Sequence, residues 1–373
     1  MLNFNCNANV CIELYKNNIK YTVYKGNINA NDNMEVKMVS IKEVAKAAGV
    51  STSTVSRVIN NSPSISQNTK DKVWVEIKRL NYSPNNIAKA LITNKSYTIT
   101  LLVDVDDEKS FQNPFFYEVI HGIEKYCQEK EFSLIVANVN TKMRKQDMIS
   151  WLVKSKRTEG IVLPVSILNR ALIKELKDMG VPFVAVGEVD SIRDNVSWVD
   201  IDNKKGTEKA VFFLHDQGYK DIVFIGYDKD KDFSNRRVEG YKSAINKLGL
   251  SIDDSRIITC TNSKEQGYKV MENMISNNKT PDAVICGNDS LSVGVIKAIS
   301  DHGLKIPEDI GIISFDSRQI ASLMYPEVTT VDVDVFEMGY QSAKMLFQLI
   351  DNNNLTDQGL LISTKIIERE TTK

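Results

Sequence analysis

Cysteine and histidine are scarce in this 373-residue chain. The five cysteines, at 6, 11, 127, 260 and 286, are scattered, and no two form a CxxC pair. That excludes a disulfide frame and a zinc ribbon and fits a reducing cytoplasm. The three histidines, His121, His215 and His302, stand alone, so no metal site is expected. No apolar run approaches the ~18 residues of a membrane span. The opening MLNFNCNANVCIELYK has neither a basic start nor an apolar stretch, so no secretion signal is expected. GxGxxG, P-loop, GxSxG and HExxH motifs are all missing. Their absence argues against an enzyme, and no cofactor is expected.

What is present is unevenly distributed. The net charge is −1, but residues 38–96 carry nine Lys/Arg against three acids, whereas the chain after residue 96 is net acidic. A basic head on an acidic body suggests that the head meets a polyanion. A merely soluble small domain would show the same charge, so the pattern of residues has to decide.

That pattern is explicit. Ser40-Ile41-Lys42-Glu43 reads as a capping box, Ile41, Val44, Ala45 and Ala48 follow at helical spacing, and Gly49 supplies a stop. Ser51 caps a second short helix reaching about Asn60, so the pair is a helix-turn-helix. In VSTSTVSRVIN (50–60) the apolar Val55, Val58 and Ile59 face inward, while Thr52, Ser53, Ser56, Arg57 and Asn60 line the outside. A solvated helix face normally carries Glu and Lys. Small hydroxyls with one guanidinium suit close approach to base edges: Thr52 and Ser53 at the leading end, and Arg57 forked onto guanine O6 and N7. Ser51, Thr54 and Asn60 can hold phosphates. A third helix, about Gln67–Leu80, closes the small core through Val73, Ile77 and Leu80, with Trp74 packing beside them. Pro84 then opens a short run, Asn85–Leu91, too brief to be helical alone in water. Leu91 could wedge into a minor groove or pack between domains.

The stretch VSIKEVAKAAGVSTSTVSRVINNSPSISQNTKDKVWVEIKRLNYSPNNIAKAL resembles the DNA-binding head of the lactose-repressor (LacI/GalR) family of bacterial transcription regulators. The resemblance implies that Thr52 and Ser53 read the operator and that Arg57 contacts a base. It makes Asn85, Ala88, Lys89 and Leu91 the hinge helix, with Leu91 intercalating. The family usually has Arg where Lys89 stands, and Lys is the weaker maker of forked contacts.

From Tyr97 onward, short apolar runs (TITLLVDV, FSLIVANV, GIVLP, VPFVAVG, DIVFIG, AVICG, IGIISFD) alternate with helical patterns. Regular βα alternation implies parallel sheets with helices on both faces. Some 275 residues exceed one such sheet, so two are expected, with ligands beyond the carboxyl ends of their strands. QNPFF, VDIDN, RRVEGY, GND and IPEDIGIISFD are again similar to the family's marks. The expected fold is therefore α/β: a helix-turn-helix head and a periplasmic-binding-protein-like body of two doubly wound parallel-sheet subdomains. The expected divisions are 1–37, an extension that is either disordered or a mis-annotated start; 38–84, the head; 85–96, hinge and linker; 97–200 with 320–351, the first subdomain; and 201–319 with 352–373, the second. The resemblance implies an effector cleft containing Phe111, Asn113, Phe116, Arg237, Asn288 and Asp316. The alternative for Arg237–Asp316 is a plain structural ion pair. Ser314, Ser317, Gly187 with Glu188, and Asn262 depart from common family residues. The polar and aromatic mix points to a sugar, a maltose-type oligosaccharide being the first candidate.

The first 37 residues hold ten Asn and no helical stripe. Either translation starts at Met38 or Met34, where MEVKM can be encoded over a ribosome-binding sequence, or the segment is an arm that adds DNA contacts. The expected protein is a homodimeric repressor of sugar-utilisation genes, released from operator DNA by a small-molecule inducer. Control by a corepressor, or by a docked phosphocarrier protein, is the alternative. The chain closes on IIERETTK without a further heptad helix, which favours a dimer over a tetramer.

Overall fold

The computed structural model describes residues 10–16, 19–25, 39–59, 61–82, 93, 95–103, 114–139, 145–189, 195–316, 318–352 and 356–373. They form two compact units, Met1–Ile92 and Thr93–Lys373.

In the first unit, strand β1 (Val10–Lys16) pairs antiparallel with β2 (Ile19–Lys25), Ile12 opposite Val23 and Leu14 opposite Tyr21. Of the 1–37 span, expected to be disordered or a mis-annotated start, the described residues are these two strands. The stretch has no helical stripe, but it alternates apolar residues with period two. Three helices follow: α1 (Ile41–Ala48), α2 (Thr52–Ile59) and α3 (Gln67–Arg79). Each begins on a local signal. The Glu43 carboxylate accepts from the Ser40 N–H at 2.8 Å, the Ser51 hydroxyl accepts from the Thr54 N–H at 3.1 Å, and Ser66 accepts from Thr69. Gly49, at φ 68°, ends α1 in a left-handed conformation that a Cβ would strain. Val44, Ala45, Val55, Val58, Val73 and Ile77 are buried together. Trp74 is 42 % exposed, against the expectation that it packs. Val73 and Ile77 take the inward positions four residues apart, and Trp74 lies one step round the helix.

The second unit carries two six-stranded sheets. The chain runs through β3 (Thr98–Val103), α4 (Pro114–Glu129), β4 (Ser133–Asn138), α5 (Lys145–Lys154), β5 (Gly160–Pro164), α6 (Arg170–Asp178), β6 (Phe183–Val186) and β7 (Ser197–Ile201). It continues as α7 (Asn203–Asp216), β8 (Ile222–Tyr227), α8 (Asp232–Lys247), β9 (Ile257–Thr259), α9 (Lys264–Ser276), β10 (Ala283–Cys286), α10 (Asp289–Asp301), β11 (Gly311–Asp316) and α11 (Arg318–Leu323). It closes with β12 (Thr329–Asp332), α12 (Val335–Asp351), β13 (Gly359–Ile362) and β14 (Lys365–Ile367). The first sheet has the order β13-β7-β6-β5-β3-β4 and is parallel throughout. The second has the order β14-β12-β11-β10-β8-β9 and is parallel except for β14, which runs antiparallel to β12. Central strands such as Ile222–Ile225 and Ala283–Cys286 are buried over their whole length, as in sheets covered on both faces.

The subdomain boundaries differ from the expected ones. Thr329–Asp332 was placed with the first subdomain, yet β12 pairs with β11, Ile313 opposite Thr329. Residues 352–373 were placed with the second, yet β13 pairs with β7, Leu360 opposite Val199. Of 320–351, α12 does pack on the first subdomain, against α4. The chain therefore crosses three times: from β7 to α7, from β12 to α12 and from β13 to β14. Strand partners of this kind are long-range pairings, and local periodicity carries no record of them.

Helices pair by close backbone approach. A Cβ on Gly122 of α4 would run into the Phe336 carbonyl oxygen and the Tyr340 N–H of α12, and one on Gly339 would meet the Val119 carbonyl. Gly267 and Gly294 make the same reciprocal contact between α9 and α10. Between α7 and α8 a buried carboxylate adds to the packing. Burial alone would raise Glu208, but hydrogen bonds from Lys205, Lys247 and Ser243 outweigh it and bring its carboxyl to about 2. Substituting Gly122→Ala forces two helix backbones apart, an overpacking that costs about 1–3 kcal/mol. Thermal unfolding of the variant is expected several degrees below the parent chain, and an unchanged melting temperature would contradict the packing described here.

Candidate functional sites

The first site is the outer face of α2. Thr52, Ser53 and Arg57 are exposed, and with four-residue spacing Ser53 and Arg57 share one stripe of the helix. Ser51 and Thr54 are partly committed inside the protein. The Ser51 hydroxyl caps α2 and lies 2.7 Å from Ser53 Oγ and 2.9 Å from Thr54 Oγ1. These hydroxyls therefore form a linked row along the leading turn. Around them, Lys70 donates to Asn61 Oδ1 at 2.8 Å and Arg79 pairs with Glu76. Asn60, Asn85, Ala88, Lys89 and Leu91 lie outside the described residues.

The second site lies at the carboxyl ends of the strands of the second sheet and is organised by Arg237 on α8. Its side chain is buried, and a buried guanidinium needs partners for its N–H groups. Nε donates to Asn203 Oδ1 at 2.9 Å, Nη1 to the Gly287 carbonyl at 2.7 Å, and Nη2 to Asp316 Oδ1 at 3.4 Å. The plane rests on the Phe315 ring, 3.8 Å from its centroid, with Phe233 at 5.1 Å. The cation thus joins the end of β7 and start of α7, the end of β10, and the end of β11. Asp316 sits at φ 100°, a conformation that L residues rarely adopt and that the surrounding structure has to enforce. Its side chain is 39 % exposed while that of Arg237 is 8 % exposed. The carboxylate therefore forms the rim and the guanidinium the floor.

The other expected cleft residues fare differently. Asn288 is the N-cap of α10, its Oδ1 accepting from the Leu291 N–H at 3.0 Å. That commits its oxygen and leaves the amide nitrogen as its donor end. Phe116 is half-buried and packs on the core cluster that includes Val119 and Ile123. Phe111 and Asn113 lie outside the described residues, as does Ser317. Ser314 turns inward and donates to the buried Asp289 at 3.1 Å.

Sequence reasoning missed Asn203, Phe315 and Asp200. Asn203 and Asp200 both stand in VDIDN, where the run of alternating acids was the available signal. Asp200 is buried, and its two oxygens accept from the Glu188 N–H at 2.9 Å and the Ile201 N–H at 2.7 Å. Burial lifts its carboxyl from 3.8 to about 6, although the two N–H groups and Arg237 pull it down. Because the folded value is raised, the group favours folding at low pH, fully so below about 3.8, and that contribution is lost as the pH rises through about 6. The parent chain is therefore expected to lose more melting temperature than Asp200→Asn between pH 5 and pH 7. Parallel pH profiles for the two would show that Asp200 does not titrate there.

Residues 40–85 match the family described as bacterial regulatory proteins, lacI family, and residues 211–372 match a periplasmic binding protein-like domain. The chain is 31% identical to the HTH-type transcriptional regulator RegA of Clostridium saccharobutylicum, over 89% of this chain and 99% of that protein. It is 32% identical to the ribose operon repressor of Escherichia coli (strain K12), again over 89% and 99%. Among solved structures, a complex of the transcriptional regulator CelR with cellobiose superposes with a TM-score of 0.67 at 26% identity, covering 89% of this chain and 99% of that one. A head with a hydroxyl-lined second helix, a body of two crossed parallel-sheet subdomains and similarity to such regulators over 89% of the chain lead to one assignment: the chain belongs to the lacI family of bacterial regulatory proteins.

Proposed function

We propose that this regulator is a cytoplasmic homodimeric repressor that binds a near-palindromic operator and releases it when a sugar occupies the Arg237 cleft. The observation that carries this reading is the pairing, in one chain, of an exposed Thr52-Ser53-Arg57 face with a cleft built on a buried cation. Thr52 and Ser53 lie against base edges in the major groove, Arg57 forks onto a guanine, and Ser51, Thr54 and Asn60 hold phosphates. Asn85, Ala88, Lys89 and Leu91 form the hinge that bends the operator centre.

In the cleft, Asp316 accepts from sugar hydroxyls and the remaining Arg237 N–H groups donate to them. Phe111, Phe116 and the 38 % exposed Phe233 offer apolar faces to the ring. Asn113 and the amide nitrogen of Asn288 add donors. The structural role of Arg237 does not compete with this one, since a floor held by fixed partners is preorganised for a ligand. A sugar is supported by the cellobiose complex of the similar CelR and by the neutralised charge of the Arg237–Asp316 pair, which suits an uncharged polyhydroxylated ring. Dimer formation is supported by the exposed apolar residues Tyr117 and Val136 on the first subdomain and Leu323 and Tyr325 on the second.

The test is selection of duplexes from a random pool at moderate salt, repeated with a panel of sugars. One duplex family is expected to emerge and one sugar to weaken it. If no duplex is preferred over scrambled competitors, the reading falls. Release by a phosphocarrier protein and by no sugar would instead place control on the body surface. Arg57→Ala is expected to weaken the selected duplex by about 1–3 kcal/mol and to relax preference at one base pair. Arg237→Ala is expected to abolish the sugar response while the isolated head surface stays intact. By linkage, sugar and operator reduce each other's affinity by the same factor.

A further inference from the structure

Glu188 and Arg236 are 48 residues apart in the chain and belong to different subdomains. Glu188 follows β6 of the first sheet, and Arg236 stands on α8, which covers the second. Arg236 Nε donates to Glu188 Oε2 at 2.9 Å and Nη2 to Oε1 at 2.8 Å. This is the two-pronged guanidinium–carboxylate geometry, stronger and more directional than a single contact. The side chains are 35 % and 22 % exposed, so solvent screens the pair only in part.

Both partners are held in place. The Glu188 N–H donates to the buried Asp200, which fixes the loop after β6 against the end of β7. Arg236 Nη1 donates to Glu239 one turn along α8 at 3.1 Å, and Glu239 lies 3.7 Å from Lys204. Neither prong needs a large loss of side-chain freedom to form, which is the usual reason that surface pairs contribute little. Arg236 is also the immediate neighbour of Arg237, so a shift of the second turn of α8 moves the cleft floor and the pair together.

We propose that the Glu188–Arg236 pair is a latch across the effector cleft, holding the two subdomains in the arrangement described here and thereby setting the balance between operator-binding and effector-bound forms. The inference rests on the proposed function in so far as subdomain arrangement governs operator binding. Neither residue is assigned to a ligand: each acts through the position of α8 and the β6 loop.

The test uses the full chain and the variants Glu188→Gln, Arg236→Gln and their double combination, with Lys242→Gln, on the same helix but paired with Asp254, as a within-helix control. The first readout is amide exchange at residues 186–189 and 232–239. Each single variant is expected to exchange at least five times faster there with unchanged far-ultraviolet circular dichroism, and the double variant is expected to be no faster than either single. The second readout is affinity for the duplex recovered from the random pool. The two single variants are expected to change it three- to thirty-fold in the same direction, the double variant by no more than either, and Lys242→Gln by less than twofold. Additive effects in the double variant would overturn the latch, as would exchange and duplex affinity that remain at parent values. If the parent chain selects no duplex, the functional reading fails by itself and the exchange measurement still decides whether the pair joins the subdomains.

Discussion

A buried guanidinium is the constraint around which the body of this protein is arranged. Taking a cation out of water costs several kcal/mol unless its donors are met, and Arg237 meets them from Asn203, Gly287 and Asp316, while Phe315 takes its face. Those partners come from the end of β7 in the first sheet and from the ends of the neighbouring β10 and β11 in the second. The strand ends can therefore not drift independently: moving one leaves a donor or a carboxylate unpaired in a low-dielectric site. The left-handed backbone at Asp316 is the kind of strain that such over-determination sustains. A site whose polar groups are already fixed is what small-molecule recognition requires, because the ligand then need not order them.

The same logic operates one level up. Gly122 with Gly339, and Gly267 with Gly294, bring helix backbones into contact, so neighbouring helices within each subdomain move as blocks and not as sliding pairs. Three chain crossings join the blocks, and polar contacts such as Glu188 to Arg236 span them. Packed interiors switch between discrete arrangements more readily than they deform continuously. The body is thus suited to convert a small change at the cleft into a rotation of one block against the other.

The head works by a different balance. Its core is six buried residues, near the lower limit for an independent fold, and its helices depend on caps for definition. In exchange, the outer face of α2 is left free of long charged side chains other than Arg57. Small hydroxyls cost little to desolvate and allow close approach, whereas Lys and Glu would hold a partner surface at a distance. The charge split between head and body follows from this division of work. Cations serve where phosphates are met, and acids keep the body from competing for them.

Local signals were legible in the sequence because they act over three or four residues. Ser40 with Glu43, Gly49 and Ser51 bound the first two head helices where the spacing placed them, and the βα alternation implied two parallel sheets. Arg237 and Asp316 were legible as residues from the family's marks, but their partners Asn203, Gly287 and Phe315 were not, since these meet only when three strand ends converge. Asn288 was legible as a cleft candidate but not as a cap: its oxygen serves the nearest N–H of the helix that follows the strand, which leaves its amide nitrogen as the donor end. Trp74 was expected to pack and is instead 42 % exposed, because the stripe of α3 had already been filled by Val73 and Ile77. The exchange of β12 and β13 between sheets, the Glu188–Arg236 pair and the burial of Asp200 were decided by tertiary structure alone. Strand pairing, ion pairing across a cleft and desolvation all depend on which distant segments become neighbours, and that information is created only when the chain closes on itself.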